Sequence, residues 1–463
     1  MVFICQKTRI SLENLEKIAS TFSSFMWGYP LLILIIGGGI FFMIYSRLTP
    51  FRYFFHAIQV ARGKYSRPDE AGQISPFQSL STSLSAAIGM GNISGVAVAI
   101  ATGGPGAIFW MWVSASVGMA TEFFTCSLAV MYRGRDDRGE LQGGPMYVIV
   151  EGLGKKWKPM AIFFCLAGTI GVLPVFQVNQ YTQAIRDIVL PQLNIEGGFY
   201  TNLVTATIIV VLLSLVVYGG IKRIGKVAAS LVPAMTLLYS GAVIYILATN
   251  PYEILPGFQL IFYDAFTGKA ILGGSLGSLI ILGVKRGTFS SEAGLGTAPL
   301  AHGAAKTNEP IRQGLVAMLG PALDTLIVCT MTALALIVTG VWKESSNNGV
   351  SLTAEAFAVG IPGMGHLILT LCITVFSMTT LFAYPYYGAK CFNFIFGSRR
   401  GRYYTIFYIM SVFLGALASL GVVMDLIDGV FAMMAIPNMI AALLLAPRVK
   451  TAAIRYFDQL KKD

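Results

Sequence analysis

The chain has 463 residues, 55% of them hydrophobic and 12% charged, with a mean hydropathy of +0.69. Soluble domains carry about a quarter charged residues, so this composition excludes a soluble globular protein and indicates one all-α polytopic membrane unit. The formal net charge of +11 does not indicate nucleic acid, because Lys and Arg stand between apolar runs rather than on a solvated basic face.

The N-terminal stretch "MVFICQKTRISLENLEKIASTFSSFMWGYP" lacks the basic, apolar, small-residue order of a cleaved signal peptide and is expected to stay attached. Crossing a hydrocarbon core of about 30 Å takes about 20 apolar residues. Such runs predict spans near 28–46, 78–101, 105–131, 159–190, 199–220, 227–249, 268–300, 311–341, 364–388, 403–423 and 427–446, eleven in all.

Lys and Arg collect in every second connection: 47–77, 132–158, 221–226, the region of Lys285 to Arg312, Lys390 to Arg402, and the stretch from Arg448. Basic loops mark the cytoplasmic side, which places the N-terminus outside and the C-terminus inside. The second span is interrupted by "GMGNISG" (89–95) and the seventh between Gly283 and Gly296. These two spans lie five apart with opposite direction, which predicts a five plus five inverted repeat with one extra N-terminal helix and a site at the two breaks. The expected divisions are 1–75 with the first helix and a basic cytoplasmic loop, 76–447 as core (repeats 76–250 and 262–447), and 448–463 as a cytoplasmic tail.

Unwinding a helix in lipid frees backbone groups that a ligand must satisfy. In "AAIGMGN" the amides of Met90 and Gly91 are expected to face a carboxylate, with the Ala87 carbonyl and the Asn92 side-chain oxygen serving a cation. On this reading Gly91 tolerates no side chain. The alternative is that the glycines only let helices approach closely. In "FSMTTLFAYPYY" Ser377, Thr379 and Thr380 supply hard oxygens suited to Na+, or bond their own i−4 carbonyls. In "VLPVFQVNQ" Gln177 and Asn179, beside Pro174, either line a cavity or bridge helices. Glu122 and Asp324 lie near mid-span and either bind a proton or fix a helix; Glu292 is either functional or paired with Lys285 or Arg286.

The six cysteines form no CxxC pair and the three histidines no HExxH, so neither a disulfide framework nor a transition-metal site is expected, and Cys5, Cys126, Cys165, Cys329, Cys372 and Cys391 read as packing residues. A channel would need carbonyl or charged rings aligned across subunits, and an enzyme a convergent nucleophile or acid-base set; the sequence offers neither.

From about residue 76 to 447 the words "STSLSAAIGMGNISGVAVAIATGGPGAIFWMWV", "GGPMYVI", "KRGTFSSEAGLGTAP", "LDTLIVCTMTAL" and "MMAIPNMIAALLL", in this order, resemble the alanine or glycine:cation symporter family. The resemblance implies a leucine-transporter-like fold and a secondary active transporter of a small neutral amino acid. It implies Na+ or H+ as coupling ion, no organic cofactor, no nucleic-acid partner, and a place among the lipids of a bacterial or archaeal inner membrane. It also implies a cation site at Ser85, Ile88, Thr379 and Thr380. This chain departs from the family at Met90, where a small or hydroxyl residue is usual, at Tyr384 in the substrate region, where Trp is frequent, at Ser291 for Asn, and at Glu122 for Lys.

Overall fold

Hydrocarbon offers no partner for peptide groups, so apolar runs close their hydrogen bonds internally and become helices. The computed structural model describes residues 14, 16–67, 69–217, 220–267 and 276–462. Among them, seven helices are long and apolar enough to cross a membrane: Gly106–Met131, Lys155–Gln192, Phe199–Val217, Gly220–Thr249, Pro310–Thr339, Gly365–Phe396 and Leu420–Leu460. Two bent pairs bring the number to nine, Glu16–Met26 with Tyr29–Tyr45 (47°) and Pro76–Ala87 with Gly91–Gly103 (51°). The apolar helices Leu276–Ser291 and Gly401–Leu417 are shorter. Residues 268–275, the start of the expected seventh span, lie outside the described residues, as does Cys5.

Several boundaries differ from expectation. Gly220 takes φ +63° and starts a helix at once, so Lys222, Arg223 and Lys226 ride on its first turns rather than in a loop. The last two helices join at Ala418–Ser419 instead of near 424–426, and the final one runs to Leu460, so 448–460 is a helical extension and not a loose tail. Pro251–Thr267, Phe54–Ala61 and Val350–Gly360, read as connections, are helices. Each is too short or too polar to register as a span. The 132–158 connection holds a two-stranded antiparallel hairpin, Gly134–Arg135 with Leu141–Gln142.

The interior is lined by the interrupted helices. Pro76–Ala87 opens with a capping box: Ser75 Oγ accepts the Gln78 amide at 3.1 Å, Gln78 Oε1 accepts the Ser75 amide at 3.0 Å, and Pro76 fills the first position, where no N–H is needed. This helix packs on Gly220–Thr249 and Gly365–Phe396, while Gly106–Met131 packs along Leu276–Ser291 and Pro310–Ala317. Phe199–Val217 stands at the perimeter with Val204, Ile208, Val211 and Leu215 exposed, as a lipid-facing helix requires.

Candidate site at the two helix breaks

The first break begins at Ile88, whose ψ of +90° takes the chain out of the helix, and the following amides turn to side chains. Gly89 N–H donates to Asn92 Oδ1 at 3.0 Å, and Met90 N–H donates to Gln177 Oε1 at 3.2 Å. A methyl group on Gly89 would stand 2.5 Å from Thr380 Oγ1 and 3.4 Å from Gln177 Oε1. Gly89, Met90, Gln177 and Thr380 therefore meet at one point, drawn from three helices.

Asn92 uses its other end on a distant residue. Its Nδ2 donates to Asp324 Oδ1 at 2.5 Å and to the Asp324 carbonyl at 3.3 Å. Asp324 Oδ2 accepts Ser290 Oγ at 2.8 Å and Thr325 Oγ1 at 2.7 Å. One buried carboxylate thus joins the first interrupted helix to the end of Leu276–Ser291. The expected role of Asn92 is corrected in part: its oxygen is taken by the Gly89 amide, because a helix restarting in a dry interior leaves N–H groups that a nearby side chain satisfies.

The second break spans Glu292 to Gly296, with Glu292 (φ +54°), Gly294 (φ +83°) and Gly296 (φ +94°) all left-handed. Gly294 N–H donates to Glu122 Oε1 at 3.0 Å, and Asn438 Nδ2 donates to the Gly294 carbonyl at 2.8 Å. Glu292 Oε1 accepts Tyr384 Oη at 2.7 Å. Glu292 is thus not paired with Lys285 or Arg286, which both bond Asp428 instead, Lys285 at 2.8 Å. Among the described residues no cation lies within ion-pair distance of Glu122, Glu292 or Asp324; each carboxylate is held by neutral donors.

Two of the expected cation ligands fall close together. Ser85 and Thr379 line one narrow gap with Ile224, Ala228 and Phe382, between the first interrupted helix, Gly220–Thr249 and Gly365–Phe396. The hydroxyls bond locally: Ser85 Oγ to the Thr82 carbonyl at 2.8 Å, Thr379 Oγ1 to Val375 at 2.9 Å and Phe376 at 3.0 Å, Thr380 Oγ1 to Phe376 at 3.1 Å. Ser377 Oγ is buried without a hydrogen-bond partner. Ala87 and Ile88 present the carbonyls that precede Gly89 on the same helix end.

Asn179 is not part of this meeting point. Its Nδ2 donates to the carbonyls of Gly415 (3.2 Å) and Ala418 (2.7 Å), capping the end of Gly401–Leu417. Two residues along a helix differ by about 200°, so Gln177 and Asn179 cannot share a face, whereas Gln177 and Gln180, three apart, do. Gln180, in the same quoted word, is the amide the sequence reading missed. Its Oε1 accepts Ser94 Oγ and the Val350 amide (3.2 Å), and Thr353 Oγ1 donates to the Ile93 carbonyl at 3.2 Å, so Val350–Gly360 is tied to the restarted first helix. Beside this tie lies a polar cavity of about 360 Å3 lined by Asn179, Gln183, Arg186, Asp187, Asn348 and Ser351 among others.

At the opposite end, the residues before the first interrupted helix pair with those after the second. Gln73 N–H donates to the Ala304 carbonyl at 2.8 Å, Lys306 N–H to Ile74 at 2.6 Å and Thr307 N–H to Ala71 at 3.2 Å, a parallel bridge. Arg133 clasps it, donating to the carbonyls of Gly303 (2.9 Å), Thr307 (2.9 Å), Ala71 (3.3 Å) and Ala305. Lys390 donates to the Leu300 carbonyl at 3.0 Å, a cation at the C-terminal end of Thr297–His302.

This fold has a counterpart among solved structures: MhsT in complex with L-phenylalanine matches it with a TM-score of 0.60, over 83% of this chain and 98% of MhsT, at 12% identity. It is the leucine-transporter-like fold of polytopic membrane proteins. Residues 12–463 match the model of the sodium:alanine symporter family, and the chain belongs to that family of cation-coupled amino-acid transporters, which are not enzymes. It is 40% identical over 452 residues to the sodium/alanine symporter AgcS of Methanococcus maripaludis, covering 96% of this chain and 98% of that protein. Identity to the probable sodium/glutamine symporter GlnT of Bacillus subtilis is 34%, over 97% of this chain and 92% of that protein.

Proposed function

We propose that the chain imports a small neutral amino acid, alanine, glycine or one of similar size, by symport with Na+. The observation that carries this reading is the bond from Met90 N–H to Gln177 Oε1 at the helix break. A substrate carboxylate takes the place of that carbonyl oxygen on the Met90 amide and the neighbouring Gly91 amide, while Gln177 turns its NH2 to the same carboxylate. Neutral side chains are favoured because Glu122, Glu292 and Asp324, the acids at the breaks, are each already held by neutral donors. Tyr384, fixed on Glu292, closes the far side of the substrate region in this reading.

Na+ sits between Ser85, Thr379 and Thr380 and the carbonyls of Ala87 and Ile88. Asp324 with the Ser290 and Thr325 hydroxyls forms a second oxygen-rich point at which Na+ or H+ is exchanged. The chain forms two inverted repeats, 76–250 and 262–447, within eleven spans of an inner membrane, N-terminus outside and C-terminus cytoplasmic. In that orientation the Gln180–Val350 tie closes the outer path and the Arg133 clasp the inner one.

Reconstitution in liposomes with an imposed Na+ gradient tests this, using labelled alanine, glycine and glutamine with amidated alanine as competitor. Saturable, gradient-dependent accumulation of alanine or glycine is expected, with no competition from the amide. Equal competition by the amide removes the carboxylate from the site, and preferential uptake of glutamine replaces the small substrate by a larger one.

A further inference from the structure

A second built cavity lies away from the helix breaks, where Tyr29–Tyr45 ends and the last helix crosses the end of Gly106–Met131. Its volume is about 160 Å3. Two consecutive left-handed residues, Arg47 (φ +57°) and Leu48 (φ +60°), reverse the chain there, and Arg52 N–H returns to the Leu48 carbonyl at 3.0 Å. Arg47 and Arg52 thereby line the same cavity as Lys450 and Lys461 from the last helix.

Its floor is apolar, with Phe123 and Phe124 fully buried, and Tyr53 stacks on Phe457 at 3.8 Å between centroids. The Lys450 ammonium lies 3.9 Å from the Tyr45 ring centroid, a cation–π contact that holds it at the wall. The one lining carboxylate, Asp458, stands 3.7 Å from Lys461, and among the described residues no carboxylate pairs with Arg47, Arg52 or Lys450. Three cations thus line one cavity, none with a carboxylate within ion-pair distance among the described residues.

The surroundings identify the kind of anion. Leu48, Phe51, Phe55 and Ile454 are all exposed around this corner, Phe55 to 80%. Large apolar side chains left open beside converging cations suit a ligand that carries both a phosphate and acyl chains, and a free phosphate would leave them in contact with water. Tyr45 ends a membrane-crossing helix, which sets the cavity at the depth of the headgroups.

We propose that this cavity binds the phosphodiester headgroup of an anionic glycerophospholipid, with Arg47, Arg52 and Lys450 on the phosphate and the acyl chains running past Phe51, Phe55 and Ile454. Bound there, the lipid fastens the N-terminal helix to the last helix without touching the substrate region.

The full chain, purified in a neutral detergent, is titrated with phosphatidylglycerol, with phosphatidylcholine, or with soluble glycerol phosphate, and followed by native mass spectrometry and thermal unfolding. Phosphatidylglycerol is expected to be retained and to raise the unfolding temperature; the other two probes leave it unchanged. A variant carrying Arg47→Gln, Arg52→Gln and Lys450→Gln is expected to lose about a hundredfold in phosphatidylglycerol affinity, in keeping with the worth of three juxtamembrane cations, with its lipid-free unfolding temperature unchanged. Lys450→Gln alone weakens retention less, and serves if the triple variant does not fold. Undiminished retention by these variants overturns the site. An equal response to phosphatidylcholine makes the corner an unselective lipid surface, an equal response to glycerol phosphate makes it a free-anion site, and lipid-independent pairing of two chains through this corner assigns it to a second copy; each replaces the proposal.

Discussion

Gly89 and Thr380 touch across two helices, so closely that a single methyl group on the glycine would meet the threonine hydroxyl at 2.5 Å. At Gly91 the same group would stand 3.4 Å from Phe289, an ordinary contact. Among protein neighbours the demand for a bare backbone therefore falls on Gly89 and not on Gly91. Gly89→Ala is predicted to abolish labelled amino-acid uptake in liposomes while Gly91→Ala keeps a measurable rate at equal protein insertion. The reverse order of the two variants would refute the contact as the governing constraint.

Thr379 and Ser85 share a gap that their own backbone hydrogen bonds leave otherwise empty of donors. Replacing Thr379 by Val keeps its volume and removes only the oxygen. Thr379→Val and Ser85→Ala are each predicted to raise the Na+ concentration for half-maximal uptake by about tenfold, the scale of one lost polar contact of about 1–3 kcal/mol at a buried site. An unchanged Na+ dependence in normally inserted protein returns these hydroxyls to helix bonding.

Asn92 serves two masters, the Gly89 amide and the Asp324 carboxylate. Truncating it to Ala leaves the Gly89 amide without its acceptor and Asp324 Oδ1 without its donor, at about 1–3 kcal/mol each, so Asn92→Ala is predicted to lower thermal stability in detergent. Asp324→Asn keeps the shape and discards the charge, and is predicted to lessen the ion dependence of uptake with a smaller loss of stability. If Asp324→Asn leaves ion dependence intact, the carboxylate is a strut.

His56 sits in the Phe54–Ala61 helix outside the spans, its Nε2 2.8 Å from Tyr456 Oη. Burial, with Lys64 and Arg312 nearby, holds its imidazole below the usual 6.5. A base lowered on folding contributes stability that is complete above 6.5 and fades as pH falls toward the folded value. Unfolding temperature is predicted to drop between pH 7 and 5, with a shallower slope in His56→Gln; parallel slopes would assign the drop to other groups.

Much of this architecture was legible in the chain because lipid imposes one rule on every span, and "GMGNISG" and "GLG" announce where that rule is broken. The extension to Leu460 and the helices Pro251–Thr267 and Val350–Gly360 were not, since hydropathy detects burial in lipid and these segments are helical without being apolar throughout. Within the site, the helical period separates Gln177 from Asn179 and joins it to Gln180, a distinction available from spacing alone. Beside the local donors Thr125, Cys126 and Thr325, Glu122, Glu292 and Asp324 meet Gly294, Tyr384 and Asn92 from elsewhere in the chain, and no local pattern encodes which distant donor a buried acid will meet.

The parallel bridge of 71–75 with 304–307 is made of peptide groups, so its strength is indifferent to most side-chain changes along it. It is also laced by one guanidinium that grips carbonyls from both strands, which makes piecemeal fraying unrewarding: while Arg133 stays, freed strands remain tethered, and once it leaves, several peptide groups lose their partners together. Each such bond is worth about 0.5–1.5 kcal/mol net, so the whole seam opens as a unit and its half-open forms stay sparsely populated. A carrier that dissipates no gradient needs that kind of door, one that spends its time shut or wide, and a leak would begin with a seam that could unpick stitch by stitch.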